Sequence, residues 1–136
     1  MLKNKDKIFL EKSLNRKIKL FFGQEYFKSR IVRWFIVLAV FFNFVNWSIL
    51  KFFLRPSGNS IILHYNVYFG VDSMGIPRES YELPLIGVII LLINVALSLY
   101  FYAKKERIAC YILLITALMA QLSLLISVIS VIIINY

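Results

Sequence analysis

The stretch that decides the fold is "LPLIGVIILLINVALSLYFYAKKERIACYILLITALMAQLSLLISVISVIIINY", residues 83–136, in which four charged residues separate two long apolar runs. A helix needs about 20 mainly apolar residues to cross a bilayer. The runs at residues 83–103 and 108–136 both meet that length. The pattern therefore predicts two transmembrane helices joined by the charged turn.

A third apolar run, "IVRWFIVLAVFFNFVNWSILKFFL", occupies residues 31–54. It is too long and begins too far into the chain for a signal peptide. The 136-residue chain is 60% hydrophobic, against about 45–50% for soluble domains. We therefore predict an all-α membrane protein with three transmembrane helices in residues 31–136 and a structured outer loop in residues 55–82.

The distribution of charge predicts the orientation of the chain, because Lys and Arg near helix ends accumulate on the cytoplasmic side. Residues 1–33 hold ten Lys or Arg against three acidic residues, and the turn at residues 104–107 holds three against one. The connection over residues 51–82 is balanced, with three of each sign. We expect a multi-pass protein of the plasma membrane, with its N-terminus cytoplasmic and its C-terminus external.

Residues 1–30 form a basic segment that we interpret as a cytoplasmic amphipathic helix. Leu10, Leu14, Ile18 and Phe21 share one helical face, and basic residues surround it. Such a helix lies flat on a leaflet that contains anionic lipid. Nucleic acid is the other anionic partner we considered, but a phosphate-binding tail has no use for the apolar stripe. We expect the lipid bilayer and no nucleic acid.

The loop over residues 55–82 carries His64, the only histidine in the chain, followed by Asn66, Gly70 and Asp72. With Pro84 at the next helix, this order resembles the loop of the SdpI-like bacterial membrane proteins and their associated domain of unknown function. The approach "LRPSGNSIILHYN" lacks the family's acidic residue, and the glycine comes one residue later. The resemblance implies a multi-pass protein of the bacterial inner membrane, of a kind that in some members provides immunity to secreted toxins.

Two interpretations of this loop remain open. Residues 63–69 alternate between apolar and polar side chains, which is typical of an extended segment with one face on apolar surface. The loop would then be an aromatic cap over the helix ends, with His64, Asn66 and Asp72 bonding to its backbone. Alternatively, these side chains converge on an external ligand, a partner peptide or a cation.

The sequence offers no pattern for catalysis, metal or cofactor binding. A structural zinc site normally takes four ligands, and a single histidine with no cysteine ligands nearby in the sequence does not provide them. No serine or cysteine has a recognisable base and orienting partner, and there is no phosphate-binding glycine loop. Cys110 lies within an apolar run, where a free cysteine acts as a small hydrophobe. We expect no enzyme, no metal and no cofactor.

Polar and small residues in the apolar runs are candidates for helix packing, because amides bond across helices in lipid and small residues let backbones approach. Small residues recur on the last run at three- and four-residue steps, which predicts one contact face. The opposite face, with Leu118, Leu122, Leu125, Ile129 and Ile132, is expected to face lipid. The packing residues that we select are Asn43, Asn46, Asn94, Ala117, Ala120, Gln121, Ser127 and Ser130.

Two functional hypotheses follow from the sequence. The first is a non-catalytic accessory, assembly or interaction subunit that binds other membrane protein subunits or further copies of itself. The second is an immunity- or receptor-type module that binds an extracellular molecule through His64 to Asp72. No ionisable residue lies near the centre of an apolar run, which argues against active transport by this chain alone.

The predicted orientation can be tested by cysteine labelling in whole cells. With Cys110→Ser as background, a cysteine introduced by Ser57→Cys should react with a membrane-impermeant thiol reagent in intact cells, because residues 55–82 are predicted to lie outside. If the cysteine is labelled only after cell lysis, the predicted orientation is wrong and the loop faces the cytoplasm.

Overall fold

The computed structural model describes residues 25–54 and 60–135. This part of the chain contains four α-helices, one 3₁₀ helix and one antiparallel hairpin. In chain order these elements are α1 (Glu25–Lys28), α2 (Arg30–Phe53), β1 (Ile61–Asn66), β2 (Gly70–Gly75), the 3₁₀ helix (Pro77–Tyr81), α3 (Glu82–Ala103) and α4 (Arg107–Asn135).

Helices α2, α3 and α4 are long and apolar enough to cross a bilayer, so the chain is membrane-embedded. Each begins one residue before the apolar run that predicted it. The hairpin is an addition to the predicted all-helical fold, and it lies within the predicted outer loop. The amphipathic helix predicted before residue 25 lies outside the described residues.

The three long helices pack through residues spaced by alternating steps of three and four. On α2 the buried positions include Ala39, Asn43, Asn46 and Leu50. This is the seven-residue repeat of helices that cross at a shallow angle, with side chains of one helix set between those of the next. The buried positions of the other two helices are Pro84, Gly87, Leu91, Ser98 and Tyr102 on α3, and Cys110, Leu114, Ala117, Gln121, Val128 and Val131 on α4.

The contact face of α4 differs from the predicted face of small residues. Ala117 is fully buried, but Ala120 is half-buried, and Ser127 and Ser130 are exposed. The last three each precede by one residue a position that is buried, which rotates them by about 100° around the helix. The hydroxyls of Ser127 and Ser130 donate to carbonyl groups of their own helix, at 3.2 and 2.9 Å.

The face of α4 predicted to meet lipid is also partly engaged. Leu118 packs against the cluster formed by Ala39, Leu91 and Ala117 in the middle of the bundle. Ile132 packs against a second cluster, which contains Leu50, Leu54, Ile61, Val128 and Val131. The side chain of Ile129, by contrast, is exposed.

A polar cluster of two amide side chains connects the three helices. Nδ2 of Asn43 on α2 donates to the carbonyl oxygen of Pro84 at 2.9 Å and to Oε1 of Gln121 on α4 at 3.0 Å. Nε2 of Gln121 donates to the carbonyl oxygen of Gly87 on α3 at 2.7 Å. A Cβ atom at position 87 would lie 2.7 Å from both amide groups, so the contact requires glycine there. We call Asn43, Gln121 and the Pro84 and Gly87 carbonyls the amide cluster.

One turn beyond the amide cluster, two buried side chains have no hydrogen-bond partner. Both side-chain polar atoms of Asn46 and the hydroxyl of Ser80 are enclosed without a partner, whereas the half-buried Asn94 donates to a carbonyl of its own helix. The residues that follow them, Trp47 and Tyr81, stack with ring centroids 5.6 Å apart. The stack holds α2 against the 3₁₀ helix at this level.

The end of the bundle formed by α1 and residues 104–106, here called the turn end, is closed by aromatic and charged contacts. Tyr26 is buried, its hydroxyl bonds to Ser98, and its ring packs edge-on against Tyr102. Arg107 lies 3.8 Å above the Tyr102 ring and 3.8 Å from the Glu25 carboxylate. Residues 25–28 therefore pack on the transmembrane helices, although the predicted boundary between the two segments was at residue 30.

The amide cluster and Asn46 give a matched pair of substitutions on one helix. Asn43→Leu should lower the free energy of unfolding by about 1–2 kcal/mol, because it leaves the Gln121 oxygen buried without a donor. Asn46→Leu should be neutral or stabilising, because it removes two unpartnered polar atoms. Thermal unfolding in detergent measures both. An equal loss of stability in the two variants would contradict this account.

Candidate functional site

The candidate site is the β1–β2 hairpin and the groove beside it, at the opposite end of the bundle from the turn end. The strands pair from Ile61 opposite Gly75 to Asn66 opposite Gly70, and the register is irregular on both sides of His64. His64 faces Ser73 and Tyr65 faces Val71, so Asp72 has no residue directly opposite. Bulges of this kind bend a strand and redirect its side chains.

The base of the hairpin is fixed to the membrane helices. The Asn135 side chain accepts a hydrogen bond from the Ile62 amide at 2.8 Å and donates to the Ile62 carbonyl at 2.7 Å. Ile61 is buried in the cluster with Leu50 and Val128. The last turn of α4 thus acts as a second partner for β1, besides β2, and determines the position of the hairpin.

The tip of the hairpin is apolar and exposed. Val67, Tyr68 and Phe69 are 84%, 90% and 84% exposed, respectively. The turn itself is well formed, because the Asn66 side chain accepts a hydrogen bond from the Tyr68 amide at 2.9 Å and Gly70 adopts a φ of 82°. We call Val67, Tyr68 and Phe69 the tip. Its three side chains project beyond the strands from a well-defined turn.

The side chains of His64 and Asp72 are in contact, although the two residues are not paired in the ladder. Nδ1 of His64 lies 2.9 Å from Oδ2 of Asp72, and the two side chains are 66% and 37% exposed. The contact uses one ring nitrogen, so Nε2 of His64 has no partner among the described residues. The carboxylate orients the imidazole and leaves its other nitrogen open to a ligand.

His64 also lines a groove of about 320 Å³ between β1 and α4. Ser127 and Ser130 lie on the α4 wall of the groove, and Leu63 and Leu83 are among its apolar lining residues. The hydroxyls of both serines donate to carbonyl groups of their own helix rather than to His64. The arrangement is a polar-edged groove, and neither serine forms the nucleophile–base pair that acyl transfer uses.

The four loop residues selected from the sequence divide into two pairs. His64 and Asp72 meet in a direct contact, whereas Asn66 and Gly70 form the last pair of the ladder and shape the turn, where Asn66 bonds to the Tyr68 amide. No pattern in the sequence associates Ser127 and Ser130 with His64, because their proximity depends on how α4 packs beside the hairpin. Asn135 was also missed, although an asparagine ending a run of isoleucines is an available signal.

Among residues 25–54 and 60–135, no group of three or more His, Cys, Asp or Glu side chains could hold a metal ion. Glu79 and Glu82 line a neighbouring cavity of about 220 Å³ with Ser80, and this cavity shares Leu63 with the groove beside His64.

Comparisons with protein-family models, with curated proteins and with solved structures found no match to this chain. The resemblance of the loop to the SdpI-like proteins therefore stays a prediction from the sequence.

The contact between His64 and Asp72 predicts weak coupling between the two side chains. In a double-mutant cycle with His64→Ala and Asp72→Ala, the interaction free energy should be favourable but below about 1 kcal/mol, because both groups are exposed to solvent. Chemical unfolding in detergent measures it, with Ser73→Ala as a control for the strand. Strictly additive effects would contradict the predicted coupling.

Proposed function

We propose that this chain is a non-catalytic interaction subunit of a membrane complex and that the tip of its hairpin docks on a partner protein at the membrane surface. The observation that carries the proposal is the exposure of Val67, Tyr68 and Phe69. Aromatic side chains supply large contact areas and are enriched at protein interfaces. The partner is another membrane protein, or a further copy of this chain, that offers an apolar pocket outside the bilayer.

The mounting of the hairpin supports this proposal. A tip on a flexible loop would lose conformational entropy on binding, whereas a tip held in place before binding loses less. The base of the hairpin is held by the hydrogen bonds between Asn135 and Ile62 and by the burial of Ile61. The turn of the hairpin is held by Asn66 and Gly70. The tip is thus presented in one position relative to the bilayer.

The charge distribution supports an external position for the hairpin. The turn at residues 104–107 carries three basic residues against Glu106, and the predominance of basic residues there favours the cytoplasmic side. We therefore propose a plasma-membrane protein with a cytoplasmic N-terminus, an external hairpin and an external C-terminus. The basic segment before residue 25 would contact anionic lipid on the cytoplasmic leaflet.

A second candidate function is an immunity- or receptor-type module that binds an external molecule through His64 and Asp72. The observation that favours it is the groove that His64, held by Asp72, lines together with Ser127 and Ser130. A groove of about 320 Å³ lies at the small end of the range for ligand sites, about 300–1,000 Å³. The ligand would be a peptide segment or a small polar molecule.

Substitutions at the tip distinguish the two functions. Tyr68→Ser with Phe69→Ser should abolish co-purification of a larger complex in mild detergent, because the docking contact is lost. Met74→Ser with Ile76→Ser is the matched control, since both residues are exposed apolar side chains outside the turn and should leave the complex intact. The complex is quantified by sedimented mass.

Two outcomes would contradict the docking proposal. One is a complex that survives loss of the tip. The other is a wild-type chain that sediments alone while His64→Ala removes binding of an external molecule, which is the result expected for the receptor-type function.

A further inference from the structure

Near the turn end, α2 presents a stripe that combines two arginines with apolar side chains. Arg30, Arg33, Trp34 and Val37 line a groove of about 510 Å³ on its outer face. Their spacing of three, four and seven residues places them on one side of the helix. Trp34 is 65% exposed, so this side faces away from α3 and α4.

The two arginines have no acidic partner among the described residues. The acidic residue closest to them in sequence, Glu25, contacts Arg107 instead. Guanidinium groups bind phosphate through paired hydrogen bonds, and two of them one helical turn apart can share the oxygens of one phosphodiester. The arginines therefore form an anion site at the edge of an apolar surface.

The depth of the stripe matches one leaflet of a bilayer. Below Val37, the exposed side chains of Phe41 and Phe44 continue it at four- and three-residue steps. From Arg33 to Phe44 the helix rises about 16 Å, which is close to half of the ~30 Å hydrocarbon thickness. A headgroup at the arginines would thus place an acyl chain along Val37, Phe41 and Phe44 without crossing the midplane.

We propose that this stripe is a binding site for one anionic glycerophospholipid. Arg30 and Arg33 hold the phosphodiester, Trp34 lies at the level of the glycerol backbone, and the apolar residues below contact an acyl chain. A tryptophan at this depth is typical of the membrane interface. Lipids with a net negative headgroup are favoured over phosphatidylcholine, whose choline cation the arginines repel.

The site can be tested with the full-length chain in detergent, with phosphatidylglycerol as the probe and phosphatidylcholine as the comparison. Native mass spectrometry counts bound lipid, and the shift in melting temperature measures affinity. One phosphatidylglycerol should bind saturably and more tightly than any lipid attracted by the basic segment before residue 25. Arg30→Gln with Arg33→Gln should weaken this binding about tenfold or more, because the charge-assisted contacts are lost.

Two further double variants serve as controls. Lys51→Gln with Arg78→Gln removes the same charge outside the groove, from residues exposed far from the turn end, and should leave the affinity unchanged. Arg30→Lys with Arg33→Lys keeps the charge but loses the paired geometry and should give an intermediate affinity. This variant also keeps the test decisive if the Gln variant fails to fold.

Several results would overturn the proposal. One is undiminished binding of phosphatidylglycerol to both arginine variants, and another is binding of phosphatidylcholine with the same affinity as phosphatidylglycerol. A third is a loss of affinity in the Lys51 and Arg78 control as large as that in the Arg→Gln variant, which would indicate attraction by net charge alone. A wild-type dimer that dissociates in the Arg→Gln variant would show instead that a second copy of the chain covers this face.

Discussion

The amide cluster is the constraint on which the arrangement of the three membrane helices depends. Apolar side chains pack against one another about as well as against lipid, so they do little to fix how one membrane helix is rotated relative to the next. Buried amides do fix it, because an unpartnered amide in hydrocarbon is costly. Asn43 and Gln121 find their partners only when α2 and α4 both face Gly87, and this requirement sets the rotation of all three helices.

The position of the hairpin follows from that rotation. Once Gln121 points to α3, Val128 and Val131 must lie inward two and three turns further along α4, where they pack with Ile61 of β1. Asn135 then lies at the end of the helix beside Ile62 and bonds with both of its backbone groups. The position of the apolar tip therefore depends, through β1 and α4, on the hydrogen bonds of the amide cluster inside the bundle.

The sequence predicted the helices well and their contact faces less well. An apolar run that is long enough to cross a bilayer must form a helix, because its backbone groups need partners within the segment. The helix ends were therefore predicted to within a residue. The amides were selected because an asparagine or glutamine in such a run needs a partner. Most of the small residues predicted as the contact face of α4 lie one residue away from the buried face. Residue size alone does not reveal that the side carrying Gln121 is the side that packs against the other helices.

The loop shows a different limit. Alternating side chains predicted an extended segment, but an irregularity in the strand register between His64 and Tyr65 separates Asn66 from His64 and Asp72, and a bulge has no reliable signature in a single sequence. The docking of residues 25–28 was also missed, because Tyr26 stands in a basic segment and only its contact with Ser98, 72 residues away, shows that it belongs to the bundle.

The two ends of the bundle are built from different interactions, and this difference is the reason that different partners are proposed for them. At the turn end, cations lie against aromatic rings: Lys104 over Tyr100 at 4.5 Å, and Arg107 over Tyr102 at 3.8 Å. Such contacts stabilise the cations against aromatic faces, an arrangement that suits a membrane interface. At the hairpin end the chain instead raises three apolar side chains on a paired backbone, away from the helices. A surface of cations suits anionic lipid, whereas an exposed apolar tip needs a pocket that excludes water, and proteins supply such pockets more readily than headgroups do.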